Sequence, residues 1–175
     1  MKNIVQIALF SLLFINMEGQ HPKQASKGRS LPSVELKTLD RKTLLTDTLS
    51  NHGKPMIISF WALWCKPCIK ELTNIGNVYK EWVEETGVRL IAVSIDDARS
   101  SSRVKPFVDG KGWEFEVLLD PNSDFKRAMN VNLIPHTFLL DGNGKVVWQH
   151  TSYTEGSELE LIEMVRKLNQ GETIQ

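Results

Sequence analysis

"FWALWCKPCIKEL", Phe60 to Leu72, contains both cysteines of the 175-residue chain. The run "MIISFWA", Met56 to Ala62, overlaps its start and is continuously apolar, the pattern of a strand buried on both faces. After the cysteines, Ile69, Leu72, Ile75, Tyr79, Trp82 and Val83 recur at helical spacing, and Gly87 follows as a stop. Cys65 therefore falls where a buried strand gives way to a helix, and Cys68 lies one turn in. The i,i+3 spacing brings both sulfurs to one side. A helix N-terminus carries free backbone N–H groups and a positive end, which favour the thiolate form of Cys65. Lys66 adds a nearby positive charge. Pro67 suits the first turn, where its missing N–H has no partner anyway. The thiolate is the form that attacks disulfides, and Cys68 is the natural resolving partner. The expected product is a short, reversible disulfide at the positive end of a helix.

Two other uses of a cysteine pair fit less well. A structural crosslink stabilises most when it closes a long loop, and here only two residues intervene. A zinc site takes about four ligands, of which one C-x-x-C supplies two. His21, His52, His136 and His150 are scattered along the chain and fall mostly near turns. With 21 basic and 21 acidic side chains the formal net charge is zero, which gives no electrostatic footprint for nucleic acid.

Outward from the cysteines the pattern alternates. "SVELKTLD" and "KTLLTDTL" read as a strand pair turning at Asp40–Arg41. "VRLIAVSI" is a second buried strand. Val104, Phe107 and Val108 predict a helix across 100–110, with Pro106 near its start or kinking it. "FEVLLD" is a further strand, and Ser123 to Met129 a short helix. "HTFLLDGNGKVVWQH" is a hairpin joined at Asp141–Gly144. Ser157 with Glu160 predicts a capping box, followed by Leu161, Val165 and Leu168 on one helical face. Interleaved helices and buried strands imply an α/β sandwich around a central mixed sheet, in one domain.

The N-terminus stands apart. Lys2 precedes a short apolar run, Ile4 to Ile15, well below the roughly 20 residues that span a bilayer. A basic start, a short apolar stretch and then a small residue predict a secretory signal over 1–19, with Gly19 the last residue removed. The alternative is an uncleaved membrane anchor. No cysteine lies near enough for a lipid-modified anchor. A flexible lead-in over 20–30 and a folded domain over 31–170 complete the expected organisation.

"SFWALWCKPCIKEL" with "NLIPHTFLLDGNGKVV" resembles the thioredoxin superfamily, and within it the TlpA/ResA-type extracytoplasmic thiol-disulfide oxidoreductases. The resemblance runs from about Leu31 to Leu168. It implies a thioredoxin-like fold with an extra N-terminal hairpin and a central insertion. It also implies no cofactor, a periplasmic location and a monomer acting on exported protein thiols and disulfides. Reduction is the favoured direction, with the haem-site cysteines of apocytochrome c one candidate substrate. A membrane electron donor that relays electrons from thioredoxin would recharge it.

Site roles follow from the same resemblance. Cys65 would be the attacking thiolate and Cys68 the resolving thiol. Pro135 matches a proline that is cis in this superfamily and lies against the disulfide, with the backbone beside Ile134 pairing with a substrate strand. Trp64, Lys66 and Pro67 would belong to the docking surface, while Trp61 packs in the core. Glu71 resembles the glutamate of a C-x-x-C-x-x-E pattern that exchanges a proton with the second cysteine. Thioredoxins carry a buried aspartate two residues before the tryptophan position of Trp61. Here that residue is Ser59, which leaves Glu71 as the proton-exchanging candidate. Thr73 stands where the branch pattern often has proline. Two alternatives share the fold. A Sco-like copper chaperone would use both cysteines with His136, but that family has C-x-x-x-C. A peroxiredoxin-like peroxidase needs P-x-x-x-T-x-x-C, and Ser59, Trp61 and Leu63 occupy that stretch instead.

Overall fold

The computed structural model describes residues 28–174; the expected signal and most of the lead-in lie outside the described residues. The apolar run at the centre of the pattern is β3, Met56–Trp61, buried at every position. Such a strand needs cover on both faces. Ile57 and Trp61 point into one core layer, and Met56, Ile58 and Phe60 into the other.

Around β3 the elements follow the expected order. β1, Glu35–Thr38, and β2, Thr43–Leu45, form the N-terminal hairpin. α1 is Lys66–Thr86, β4 Arg89–Ser94, α2 Val104–Lys111 and β5 Glu116–Leu119. α3 spans Asp124–Ala128, β6 His136–Leu140, β7 Val146–Thr151 and α4 Ser157–Asn169. The seven strands form one mixed sheet in the order β2-β1-β5-β4-β3-β6-β7. β3, β4 and β5 run parallel; β6 is antiparallel to β3, and β7 to β6. In the chain α2, β5 and α3 come between the central strands β4 and β6, as the expected inserted element, and in the sheet β5 lies beyond β4 and carries the N-terminal hairpin through an antiparallel pairing with β1.

One core layer joins Ile57, Trp61, Leu90 and Leu139 of the sheet to Leu72, Ile75 and Trp82 of α1 and Leu161 and Val165 of α4. Val104 and Val108 of α2 join the same layer. The other packs Phe60, Ile91 and Phe138 against Phe125 of α3, with Leu36 of β1. α1 stops where the sequence predicts: Gly87 takes a left-handed φ of 68° and its N–H donates to Val83 O. Pro106 sits in the first turn of α2, where its missing N–H leaves no gap in the ladder.

Two local expectations differ. Val83 follows the apolar spacing of α1 but is exposed. The capping box at Ser157 and Glu160 does not form. Gly156 occupies the cap position and its N–H donates to Glu158 Oε2 at 3.1 Å, while the Ser157 hydroxyl turns back to Thr154 O. The helix starts one residue earlier than a cap at Ser157 requires, so Ser157 is already inside it.

Candidate active site

β3 ends at Trp61, and a short loop must turn the chain into α1. Asp96, buried just beyond β4, holds that loop: its Oδ2 accepts from Leu63 N at 2.9 Å and from Ser94 Oγ at 2.9 Å. Cys65 N donates to Ala62 O at 3.0 Å, which closes the turn. Cys65 is then the cap residue of α1, with extended backbone, and Pro67 is the second helical residue.

Cys65 and Cys68 form a disulfide, with Cα atoms 5.3 Å apart. Cys68 N donates to Cys65 Sγ at 3.3 Å, so the first sulfur accepts from a free N–H of the helix start. The two cysteines differ in access: Cys65 is 5% exposed and Cys68 is 0% exposed. Lys66 and Pro67 are exposed, and Trp64 beside Cys65 is 67% exposed. Trp61 is fully buried, edge-on to Trp113 at 5.2 Å between ring centres.

The Ile134–Pro135 peptide bond is cis and opens β6. Pro135 is buried, and Ile134 is half-buried. Leu133, just before them, is 67% exposed.

Between α1 and the sheet lies a row of polar side chains. Glu71 is only 2% exposed and projects from α1 toward the sheet. Its Oε1 accepts from Thr137 Oγ1 at 2.9 Å. Thr137 Oγ1 is also 3.0 Å from Ser59 Oγ, its cross-strand neighbour. A hydroxyl has one proton, so when Thr137 donates to the carboxylate, Ser59 donates to Thr137. On the other side of Thr137, His150 Nε2 lies 3.5 Å from Glu71 Oε1. Among the described residues, neither that nitrogen nor Glu71 Oε2 has a hydrogen-bond partner.

His136 is not part of this row. It lies on the opposite face of the sheet, stacked on Phe138 at 4.3 Å, with Nε2 3.2 Å from Gln149 Oε1. Burial pushes its imidazole below the ordinary range, which favours the neutral ring. The Cys–Cys–His set of a copper site is therefore not assembled. Among the described residues, no three of His, Cys, Asp and Glu come together as a metal-holding group.

Asp96, Thr137 and His150 were not singled out by the sequence reading. Asp96 ends a buried strand and faces the redox loop, a placement that only the β3–β4 register reveals. His150 depends on an irregularity. Between Leu139 and Leu140 the hairpin register shifts, so that Leu140 pairs with Val146 but Thr137 pairs with His150. Continued without the shift, the register would place Gln149 opposite Thr137.

Comparison with known proteins agrees with this geometry. The AhpC/TSA family model matches residues 27–149. The chain belongs to that family. Thiol-disulfide oxidoreductase ResA of Bacillus anthracis is 34% identical over 122 residues, 70% of this chain and 68% of that one. A thioredoxin-like protein of Porphyromonas gingivalis, solved in solution, is 61% identical, with a TM-score of 0.72 over 80% of this chain and 92% of that one. A Chlorobium tepidum crystal structure named for the thiol:disulfide interchange protein DsbE is 25% identical, with a TM-score of 0.70 over 82% of this chain and 98% of that one. The fold is thioredoxin-like, and the chain is a thiol-disulfide oxidoreductase of the ResA/DsbE type with a C-x-x-C pair.

Proposed function

We propose that the protein reduces disulfides in exported proteins, with Cys65 attacking and Cys68 resolving. The Cys65 thiolate attacks one sulfur of the substrate disulfide and the other leaves as a thiolate. Cys68 then attacks Cys65, the mixed disulfide breaks, and the second substrate sulfur leaves. Two electrons pass to the substrate, and Cys65–Cys68 is left oxidised until a dithiol donor at the membrane restores it. The observation that carries this reading is the asymmetry of the pair. Cys65 caps the helix at the surface side, while Cys68 is fully enclosed behind it.

The docking roles rest on exposure. Trp64, Lys66 and Pro67 flank the accessible sulfur, and the backbone at Ile134 offers a strand-like edge beside buried Pro135. Glu71 serves as proton donor and acceptor for Cys68, one helical turn away; its burial and its bond to Thr137 support this role. A signal over 1–19, a lead-in over 20–30, a periplasmic location and a monomer complete the reading, with apocytochrome c cysteines one candidate substrate. Among the described residues no helix is long and apolar enough to cross a membrane. Within the AhpC/TSA family a peroxidase is the competing activity. Ile58 and Ala62 stand where its P-x-x-x-T-x-x-C pattern has proline and threonine.

Direction is tested by the equilibrium reduction potential of Cys65–Cys68 against a dithiothreitol or glutathione series. A reductase lies toward the thioredoxin end, about −270 mV. A value near the strong-oxidant end, about −120 mV, overturns reduction as the direction.

A further inference from the structure

Glu71 presents a chemical problem. It is 2% exposed, and among the described residues it receives one hydrogen bond, from Thr137, and its second oxygen none. A buried carboxylate in that state is costly unless it is protonated or faces a cation. A proton that it gives to Cys68 must be replaced, and Ser59 and Thr137 are hydroxyls enclosed at 0% exposure. They lead further into the sheet rather than out to water.

His150 supplies the missing connection. It sits on β7, the edge strand beyond β6, directly across from Thr137. Its side chain is 19% exposed, yet Nε2 is buried and 3.5 Å from Glu71 Oε1. The Trp148 ring stands edge-on to it at 4.8 Å. The imidazole thus reaches from a partly wet edge to a dry carboxylate. The register shift in the hairpin is what aims this side chain at α1 rather than the opposite face.

The other charged groups nearby are engaged elsewhere. On α1, Lys70 Nζ pairs with Glu155 at 2.6 Å. Glu158 of α4 accepts from Tyr153 Oη at 2.8 Å and from Gly156 N. On β6, His136 occupies the opposite face with Gln149.

We propose that His150 is the proton-exchange partner of Glu71, carrying protons between solvent at the β7 edge and the buried carboxyl. This rests on the role of Glu71 given above. When a dithiol donor reduces the pair, the S–S bond breaks and two electrons enter. Cys68 leaves as a thiolate and takes the Glu71 proton. Glu71 takes a proton from the His150 imidazolium, and His150 takes one from solvent, into which the donor thiols release theirs. His150 is a positioning and proton-carrying residue; it does not touch the substrate.

The test follows reduction of the Cys65–Cys68 disulfide by dithiothreitol in the full chain, by tryptophan fluorescence across pH. The variants are His150→Ala and Glu71→Gln. His150→Ala is expected to be about tenfold slower, with the rate rising as free imidazole is added. Glu71→Gln is expected to be slow with no imidazole response, because the acceptor of the relayed proton is gone. A second reading needs no His150 variant. The ring-nitrogen NMR signals of His150 should move on Glu71→Gln and again on reduction of the disulfide.

A His150→Ala variant with the wild-type pH–rate profile overturns the proposal, as does a slow variant that imidazole leaves unchanged. Should His150→Ala fail to fold, ring signals that stay in place in Glu71→Gln overturn it alone. A wild-type chain that fails to reduce insulin would sink the reductase reading without touching these measurements. Equal dithiothreitol rates for wild type and Glu71→Gln would remove both the Glu71 role and its partner.

Discussion

At the scale of single residues, the site divides its work by burial. Cys65 keeps a small opening to solvent and Cys68 has none, which on the proposed mechanism makes the first sulfur the one that would meet a protein substrate. Cys65→Ser should therefore abolish insulin-disulfide reduction while the fold survives, as read by activity alongside circular dichroism. Glu71→Gln keeps the shape and one hydrogen-bonding role but removes the ionisable proton. It should slow exchange by less than the roughly 10²-fold typical of positioned acids and bases, since thiols are already reactive. The pH profile of alkylation of reduced Cys65 checks this, and a mutant profile overlying the wild type would return Glu71 to a packing role. His136 makes a different statement about pH. Burial lowers its pKa from 6.5 in the folded state, so the folded protein prefers the neutral ring. Its contribution to stability is present above the unfolded value and falls as the pH drops through and below it. Thermal unfolding of His136→Phe should accordingly lose less stability than wild type between pH 7 and pH 5. A parallel loss in both proteins would contradict that sign.

At the scale of elements, the sheet and the α1 start were legible because their signals are local. A fully apolar six-residue run has few folds open to it, and C-x-x-C with Pro67 marks a helix start. The polar row between α1 and the sheet was legible only in part. Glu71 could be placed from its position on α1, but Ser59, Thr137 and His150 meet through strand register, a long-range property. One extra residue in β7 decides whether His150 or Gln149 faces Glu71. Deleting Gln149, with the shift at Val147 kept, should bring His150 opposite Phe138 and away from α1, and slow dithiothreitol reduction much as His150→Ala does. The Ser157 cap failed for a related reason: the chain enters α4 through Gly156 at a φ of 96°, a conformation set by the preceding loop rather than by the capping pattern. The redox loop depends likewise on a residue outside it. Asp96→Ala leaves the N–H of half-buried Leu63 without its acceptor, at a cost of up to about 1–3 kcal/mol. Denaturant unfolding should show that loss, together with slower reduction of the disulfide.

For the whole molecule, two core layers hold the sheet rigid while the redox pair sits at one end of its central strand. α1, α2 and α4 pack on one face of the sheet and α3 on the other. Leu72 joins α1 to that first layer at 0% exposure, and Leu72→Ala should cost about 2–5 kcal/mol by chemical denaturation. Export belongs to this scale too. Cell fractionation with N-terminal sequencing should find the mature chain beginning near Gln20 in the periplasm, and an intact Met1 in the membrane fraction would make the apolar run an anchor instead. The most direct measurement is mass spectrometry of Cys68→Ser after exposure to a disulfide-bonded substrate. Without its resolving thiol, the protein should accumulate a mixed disulfide on Cys65 that only added reductant releases. An absence of adduct on Cys65, with substrate reduced at the wild-type rate, would mean that this pair does not perform the exchange.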